Sequence, residues 1–585
     1  VANRATVSVL MFQQDPPQVG PLFGPTSRLV LLCVLVGVVG GLAAVAFEFL
    51  VDLAQHLLLE GVAGYHPPDS GTSPTPAPII PLFPQRWWLP VVTTLGALVG
   101  GWLVFRWAPE AEGHGTDAAL ATYHHGRSVR AHVPFIKAIA SALTIGSGGV
   151  AGREGPTAQI SAGLGSLLTR RLKLRGQERR ILMLCAMAAG LSAMFQAPLG
   201  MAIFAVEILY SGMVFEGEAL IYTVISAVTA FAVRSLIFDA EPLFALPPDL
   251  TYGSASALPA FALLGVVAGL LGAVLPGLFY RTRDLFARLP LPRTLKPAIG
   301  GLLVGLVALA EPRILGTGYG WVQLALEHRV ALGTLVLLLL LKGPMMSLTI
   351  GSGGAGGVFA PTIVLGAILG AAVGEGLGPW LPGAPPTDAL MVVGMAAVFA
   401  GAARTPISTL IMVVEMTRGY GLIVPAMLAN VLAFLVQSAV TVHARYPTLY
   451  ENQVPTREES PAHRGVFVRR AIQMMEEGAL DPRDLTLPRL VHLLSYGKPV
   501  RLGQGGGLLV SLEIAEGSPF AGRTVADTIG TREGTTAVAV LRADDLLIPR
   551  GPTELLSGDQ LIALATPEAY EGLLGAVTVS PQAAG

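Results

Sequence analysis

The sequence predicts an all-α protein that crosses a membrane many times, made of two repeated halves with interrupted helices and followed by a small α/β domain. Three observations predict it. Of 585 residues, 52% are hydrophobic and only 13% charged, with a mean hydropathy of +0.61, whereas soluble chains carry about a quarter charged residues. The words LTIGSGG stand at 143–149 and again at 348–354. After Tyr450 the composition turns charged, and short alternating apolar segments replace the long ones.

Taken in order, residues 1–27 read as a short tail without a cleavable signal pattern, because the apolar run after Arg28 is too long for a signal core. The stretches 29–51, 89–105, 257–280 and 330–350 are each long enough to enter or cross an apolar layer of roughly 30 Å. The Pro-rich, nearly uncharged stretch 64–85 reads as an external loop, and TRRLKLRGQERR at 169–180 as a short basic loop on the cytoplasmic side. The uncharged run from Ile181 to Val206 is interrupted at Gln196–Pro198, and the run from Gly343 to Gly374 is interrupted by GSGGAGG and Pro361. Irregular backbone at membrane depth is tolerated only inside protein or beside a water-filled cavity. Interruptions in matching places of two halves point to a transport site.

The halves match. Ten of fifteen positions agree between 143–157 and 348–362. MAAGLSAMFQAPLGMAIFAVE (187–207) and MAAVFAGAARTPISTLIMVVE (395–415) share MetAlaAla, a proline (Pro198, Pro406) and ValGlu (Glu207, Glu415). The repeat halves are set at about 28–237 and 256–445 within a membrane domain of 28–454. Sequence alone leaves parallel and inverted arrangements open. Cys33 and Cys185 lie in apolar stretches, so neither a disulfide framework nor a cysteine metal site is expected. A net charge of −1 gives no reason to expect a nucleic-acid partner.

In each glycine-rich copy a run of glycines precedes a proline, Pro156 or Pro361. Glycine lets backbone approach a ligand closely, and proline suits the first turn of a helix. Each copy therefore reads as a loop feeding a helix N-terminus, whose free N–H groups and positive dipole end attract anions. Two such ends converging at mid-membrane would hold a small anion without burying a full cation, tightly enough for entry and weakly enough for exit. The plainer alternative is that the glycines only serve close helix packing; the proline beside them in both halves favours the anion site. Glu154 stands where the second copy has Phe359. A carboxylate at those N–H groups would occupy the anion's own seat, and protonation would release it. An ordinary Arg153–Glu154 pair at a helix end is the blander reading.

GREGPT at 152–157 and GGVFAP at 356–361 resemble two of three signature motifs of the CLC family of chloride channels and chloride/proton exchangers, over about 28–454. The resemblance implies around eighteen helices, many of them partial, in two inverted halves. It implies a homodimer with one pore per subunit, chloride as the transported ion, protons as a second one, no cofactor or bound metal, and no enzymatic activity. It implies Glu154 as the gating glutamate. The anion would be bound by Gly152, Arg153, Gly155, Gly357, Val358, Phe359, Ala360 and Tyr450, and Lys137 would shape the field near the pore. By its composition alone, Tyr450 reads as an interfacial aromatic anchor. The setting would be the plasma membrane of a prokaryote, with both termini cytoplasmic.

The sequence departs from the family pattern twice. The first motif, usually GSGIP, is GHGTD at 113–117. His114 there either donates a hydrogen bond to the anion or, when protonated, holds it by charge; or the loop is displaced and backbone N–H groups do that work. The inner glutamate of the exchangers aligns with Ile208, leaving the neighbouring Glu207 as a candidate for the inner proton path or, since Glu415 repeats it, as a cap. Proton exchange and passive conduction both stay open.

Residues 455–503 read as a linker with an amphipathic helix near Phe467–Glu477. Within 504–578, GLLVSLEI, TTAVAVLR, DLLIPR and DQLIALAT read as short strands, and GSPFAGRTVADTI with GDQLIALATPE is similar to TrkA-C regulatory domains of potassium transport systems. Such domains often dimerise, and some bind small ligands such as cyclic dinucleotides; a ligand-free brace is the equal alternative here. Three other functions compete with this reading. One is transport of fluoride or nitrate. Another is an intramembrane hydrolase using Ser147 or Ser352 with His124 or His125 as base. In the last, the tail is the main function and the membrane part its anchor.

Overall fold

The computed structural model describes residues 25–463 and 500–577, apart from 69, 72–84, 126–128, 175, 239–241, 248, 458, 503–506, 516 and 543–544. The tail at 1–24, the helix expected near 467–477 and most of the Pro-rich loop lie outside the described residues. The chain divides into two compact units, 1–457 and 458–585.

Sixteen α-helices occupy the first unit among the described residues. In the first half they are α1 (Pro25–Gln55), α2 (Leu89–Trp107), α3 (Thr116–His125), α4 (Val133–Gly146), α5 (Glu154–Arg171), α6 (Gly176–Phe195), α7 (Pro198–Glu207) and α8 (Gly217–Ser235). In the second half they are α9 (Leu258–Arg288), α10 (Lys296–Ala310), α11 (Tyr319–Leu326), α12 (Leu332–Gly351), α13 (Phe359–Leu377), α14 (Thr387–Ala403), α15 (Pro406–Thr417) and α16 (Ile423–Val440). The halves correspond helix for helix. Among the described residues, eight helical segments are long and apolar enough to cross a membrane. By contrast α3, α7, α11 and α15 have 10, 10, 8 and 12 residues. At 1.5 Å per residue they reach only about 12–18 Å, so they end inside the protein.

The expected interruptions are where the chain turns. Helix α6 stops at Phe195, Gln196 takes a left-handed φ of 56°, and Pro198 starts α7. In the second half α14 stops at Ala403, Arg404 takes φ 56°, and Pro406 starts α15. Each proline supplies a preset φ and lacks an N–H that would have no helical partner anyway.

Two sets of reciprocal hydrogen bonds give the relation between the halves. Glu207 accepts from Ile407 N (3.1 Å), Ser408 N (2.8 Å) and the Ser408 hydroxyl. Glu415, its counterpart, accepts from Leu199 N (3.2 Å) and Gly200 N (2.7 Å). Each carboxylate at the C-terminal end of one short helix thus caps the N-terminus of the other, so α7 and α15 lie antiparallel. Contacts of the form i to j and j to i are the mark of a two-fold relation. Equivalent helices that run antiparallel make the repeats inverted, the point sequence left open.

The second unit contains a five-stranded antiparallel sheet of order β1-β2-β7-β4-β5, with β1 Val500–Leu502, β2 Gly507–Glu513, β4 Thr535–Arg542, β5 Asp545–Leu547 and β7 Gln560–Ala565. A two-stranded ribbon pairs β3 (Arg523–Thr524) with β6 (Glu554–Leu555). Helix α17 (Val525–Thr528) is capped by Thr524, and α18 (Pro567–Val577) buries Leu573, Ala576 and Val577 in the same core as Val510, Val540 and Leu561. Strand β5 ends before Pro549, which has no N–H for a ladder. The edge strand β1 falls in the stretch read as linker; three residues carry too short a pattern to be recognised.

Candidate functional site

The duplicated glycine-rich segments meet. Gly152 N donates to Gly357 O at 2.7 Å, and Gly357 N donates to Gly152 O at 2.6 Å. These are equivalent residues, 205 positions apart, so the two-fold axis runs between them. Only glycine fits: a Cβ on Gly357 would stand 2.8 Å from Gly155 N and 2.9 Å from Gly152 O. Arg153 and Val358 are the N-caps of α5 and α13, which begin at Glu154 and Phe359. Both helix N-termini therefore start beside one glycine pair in the protein interior. Their first-turn N–H groups have no carbonyl partner within their own helix.

Glu154 is 1% exposed. Its Oε1 accepts a 2.5 Å hydrogen bond from the Tyr319 hydroxyl, and the buried carboxylate also faces the backbone N–H of Ala360 at the start of α13. A Cβ on Gly152 would come within 2.1 Å of the Glu154 Oε2 and 2.8 Å of the Ala360 Cβ. The carboxylate thus lies back over Gly152, next to the start of α13. The equivalent Phe359 side chain goes into an apolar box, with ring centroids 4.0 Å from Phe399, 4.6 Å from Phe195 and 5.5 Å from Phe204. The Arg153 side chain points to α1, where Glu48 lies at 3.1 Å and Asp52 at 3.9 Å, and Arg234 joins Glu48 at 3.4 Å. Its side-chain charge is committed to α1; what it offers the site is backbone.

His114 and Tyr450 come together on the other side of Gly155. A Cβ on Gly155 would meet the His114 carbonyl oxygen at 2.1 Å. The His114 ring packs edge-on to Tyr450 at 5.4 Å and to Phe279 at 5.9 Å. Its Nε2 is 3.1 Å from Asp117 Oδ2 and its Nδ1 is buried without a partner, while the buried Tyr450 hydroxyl has the Thr116 side chain beside it. A cavity of about 280 Å³ opens beside them, lined by Glu112, His114, Asp117, Arg283 and Glu451 among others.

Lys137, 0% exposed, donates to Ala111 O (2.9 Å) and Gly113 O (2.7 Å), and so pins the GHGTD loop. Sequence reading missed its counterpart. Lys342, 205 residues on, donates to Ile314 O and Gly316 O, both at 2.9 Å. The loop it holds, GTGYG at 316–320, is the second-half copy of GHGTD, with left-handed glycines at Gly113, Gly115, Gly316 and Gly318. Tyr319, which holds Glu154, belongs to this segment and is the first residue of α11. The available signal was the same 203–205-residue offset, carried by only two glycines and a lysine.

Glu207 caps the N-terminus of α15, the role its repetition suggested. Ser147 and Ser352 donate back to Thr144 O and Thr349 O, each at 3.1 Å, and His124 Nε2 sits 3.2 Å from Leu209 O. Each of these two serine hydroxyls thus spends its proton on a carbonyl of its own helix rather than on a histidine, so the geometry lends the hydrolase reading no support.

The fold and this site define a polytopic membrane protein of inverted halves with helix ends converging in its interior. Residues 95–438 match the family described as voltage gated chloride channel, and residues 509–574 match the TrkA-C domain. The chain is 33% identical over 426 residues to a putative chloride channel protein ClcB-like of Ralstonia nicotianae, covering 71% of this chain and 94% of that one. It is 30% identical over 444 residues to the H(+)/Cl(−) exchange transporter ClcA of Yersinia pestis bv. Antiqua, covering 74% and 89%. Among solved structures, a slow cyanobacterial Cl−/H+ antiporter aligns with a TM-score of 0.62 at 23% identity over 72% of this chain and 96% of that one. A CLC-type fluoride/proton antiporter aligns at 0.61 and 20% over 74% and 100%. The chain belongs to the voltage-gated chloride channel (CLC) family.

Proposed function

We propose that the protein carries chloride across the membrane along a path between the N-termini of α5 and α13, with Glu154 as a carboxylate that competes with the anion for its seat. The reciprocal Gly152–Gly357 pair carries this reading. It joins two positive dipole ends, and the Glu154 carboxylate folds back onto that junction. A displaced carboxylate takes up a proton more readily than one held among N–H donors. Chloride entry and protonation of Glu154 are then alternatives to its occupancy of the path, which favours exchange of chloride for protons. The names of the ClcA relatives point the same way. Tyr450, retained at the site, supports chloride over other small anions. A homodimer, cytoplasmic termini and a regulatory tail with a small-molecule ligand complete the reading.

The test is efflux from chloride-loaded liposomes with proton movement recorded at the same time. Proton uptake driven by a chloride gradient supports exchange. Chloride flux without proton movement would make the protein a channel, and absence of chloride flux would end the proposal.

A further inference from the structure

Exchange asks for a proton route on each side of Glu154, which is 1% exposed. Two cavities approach its segment. One, of about 130 Å³, is lined by Arg153 and by residues 316–320. The other, of about 280 Å³, is lined by Gly113, His114 and Gly115 of the twin loop. Because the halves are inverted, twin loops lie toward opposite faces of the membrane. A Cβ on Gly115 would meet the Gly155 carbonyl oxygen at 2.7 Å, so the second cavity ends against the residue that follows Glu154.

Three carboxylates line this second cavity, and two are committed. Asp117 accepts from Glu451 N and Asn452 N and faces His114 Nε2, each at 3.1 Å. Glu451 is bound by Arg283 of α9 at 2.5 Å. Glu112 is different: among the described residues it accepts no hydrogen bond and forms no ion pair. Cations face it, but none clasps it. Lys137 of α4 spends its amine on Ala111 O and Gly113 O, and Lys296 of α10 spends its own on Ala287 O at 3.0 Å. Arg283 is taken by Glu451, and Arg293, in the turn before α10, acts on Glu112 only through its charge. The carboxylate is nonetheless placed. A Cβ on the buried Gly353 would stand 3.4 Å from its Oε1, which sets that oxygen against the second glycine run. Open to water on one side, Glu112 lies in the connection between α2 and α3, outside the membrane-spanning helices. The protein packed on its other side holds the carboxyl above its usual range despite those cations. An acid raised in this way gains and gives up a proton nearer to neutral pH.

We propose that Glu112 is the proton-transfer group on the face of the 113–117 loop: its carboxylate takes a proton from water at the cavity rim and passes it, through water in the cavity, to the Glu154 carboxylate displaced from its seat. One O–H bond of hydronium breaks as one forms on Glu112, and the same proton ends on Glu154 while Glu112 returns to carboxylate. The inference deepens the exchange reading above and rests on it. The relay has no copy on the other face, where the position of Glu112 is taken by Leu315, 2% exposed.

The experiment reads the proton-to-chloride ratio from the reversal potential of the full chain in liposomes, a quantity that does not depend on how the protein is oriented. Glu112→Gln keeps the shape of the side chain and removes its proton site, so the ratio should fall towards zero while chloride still moves. Glu112→Asp returns an acid to the same rim and should recover the ratio in part. Glu451→Gln takes an equal charge from the same cavity and should leave the ratio as in the parent chain. An unchanged ratio in Glu112→Gln would overturn the proposal, as would no recovery in Glu112→Asp. An equal loss in Glu451→Gln would do so too, because the effect would then be one of field and not of proton transfer. A parent chain that moves chloride without protons would overturn this inference and the exchange reading but leave the chloride path standing. If the parent moves no chloride, it is the path itself that fails.

Discussion

The Tyr319 hydroxyl donates to Glu154 Oε1 at 2.5 Å, joining the first residues of α11 and α5 across 165 positions of sequence. A hydrogen bond to a charged group contributes about 1.5–3 kcal/mol, here to the pose in which the carboxylate lies over Gly152. Tyr319→Phe keeps the ring against Phe244 (5.5 Å) and removes only this bond. Chloride efflux at neutral pH is expected to rise by up to about tenfold. An unchanged rate in correctly inserted protein would mean that the bond does not hold the gate.

Lys342 should reach the same gate indirectly, because it pins the loop that presents Tyr319. Lys342→Met leaves the carbonyls of Ile314 and Gly316 without their donor. Faster efflux is expected together with lower thermal stability. The double variant Lys342→Met, Tyr319→Phe should be no faster than Tyr319→Phe alone. Additive rates would separate the two residues.

Glu154→Ala removes the competing carboxylate altogether. Anion flux should persist and lose its dependence on external pH, read as stopped-flow efflux at pH 5 and pH 8. Retained pH dependence would move the gate elsewhere.

Glu207→Gln tests a cap against a proton path. The side chain keeps one acceptor for Ile407 N and Ser408 N and loses the charge at the α15 N-terminus. Melting in detergent should fall by roughly 2–4 °C, with the proton-to-chloride ratio unchanged. A changed ratio would restore Glu207 to the proton route.

In the second unit, burial works against ionisation of Asp559, yet the Arg542 guanidinium at 2.8 Å and the Leu556 N–H outweigh it and hold the carboxyl below its usual range. A carboxylate with a lowered folded-state value stabilises the fold above its unfolded value, near 3.9, and loses that contribution as pH falls through the folded one. Acid unfolding of the expressed domain is therefore expected below about pH 4. Arg542→Ala should bring it to higher pH, as read by circular dichroism, and an unmoved midpoint would refute the pairing.

What could be read from sequence was whatever repeats along the chain. The glycine runs, Pro156 and Pro361, and the Glu207–Glu415 pair announce two helix starts and two caps before any coordinates. The twin loop at 316–320 escaped because it shares only alternate glycines with 113–117, too little pattern to stand out among so many glycines. The Tyr319–Glu154 bond was illegible for a different reason. It joins segments that are distant in both chain halves and follows no period. Inversion also needed three dimensions, since the same repeated words would serve either handedness until Glu207 and Glu415 are seen to exchange helices.

The Gly152–Gly357 junction has a further consequence. Two reciprocal peptide hydrogen bonds on a symmetry axis form a frame with no preferred direction, so any vectorial behaviour must come from side chains that differ between equivalent positions, among them Glu154 and Phe359, His114 and Thr317, Thr116 and Tyr319. Exchanging those pairs between the halves, without touching the frame, is the shortest route to a protein that rectifies the opposite way.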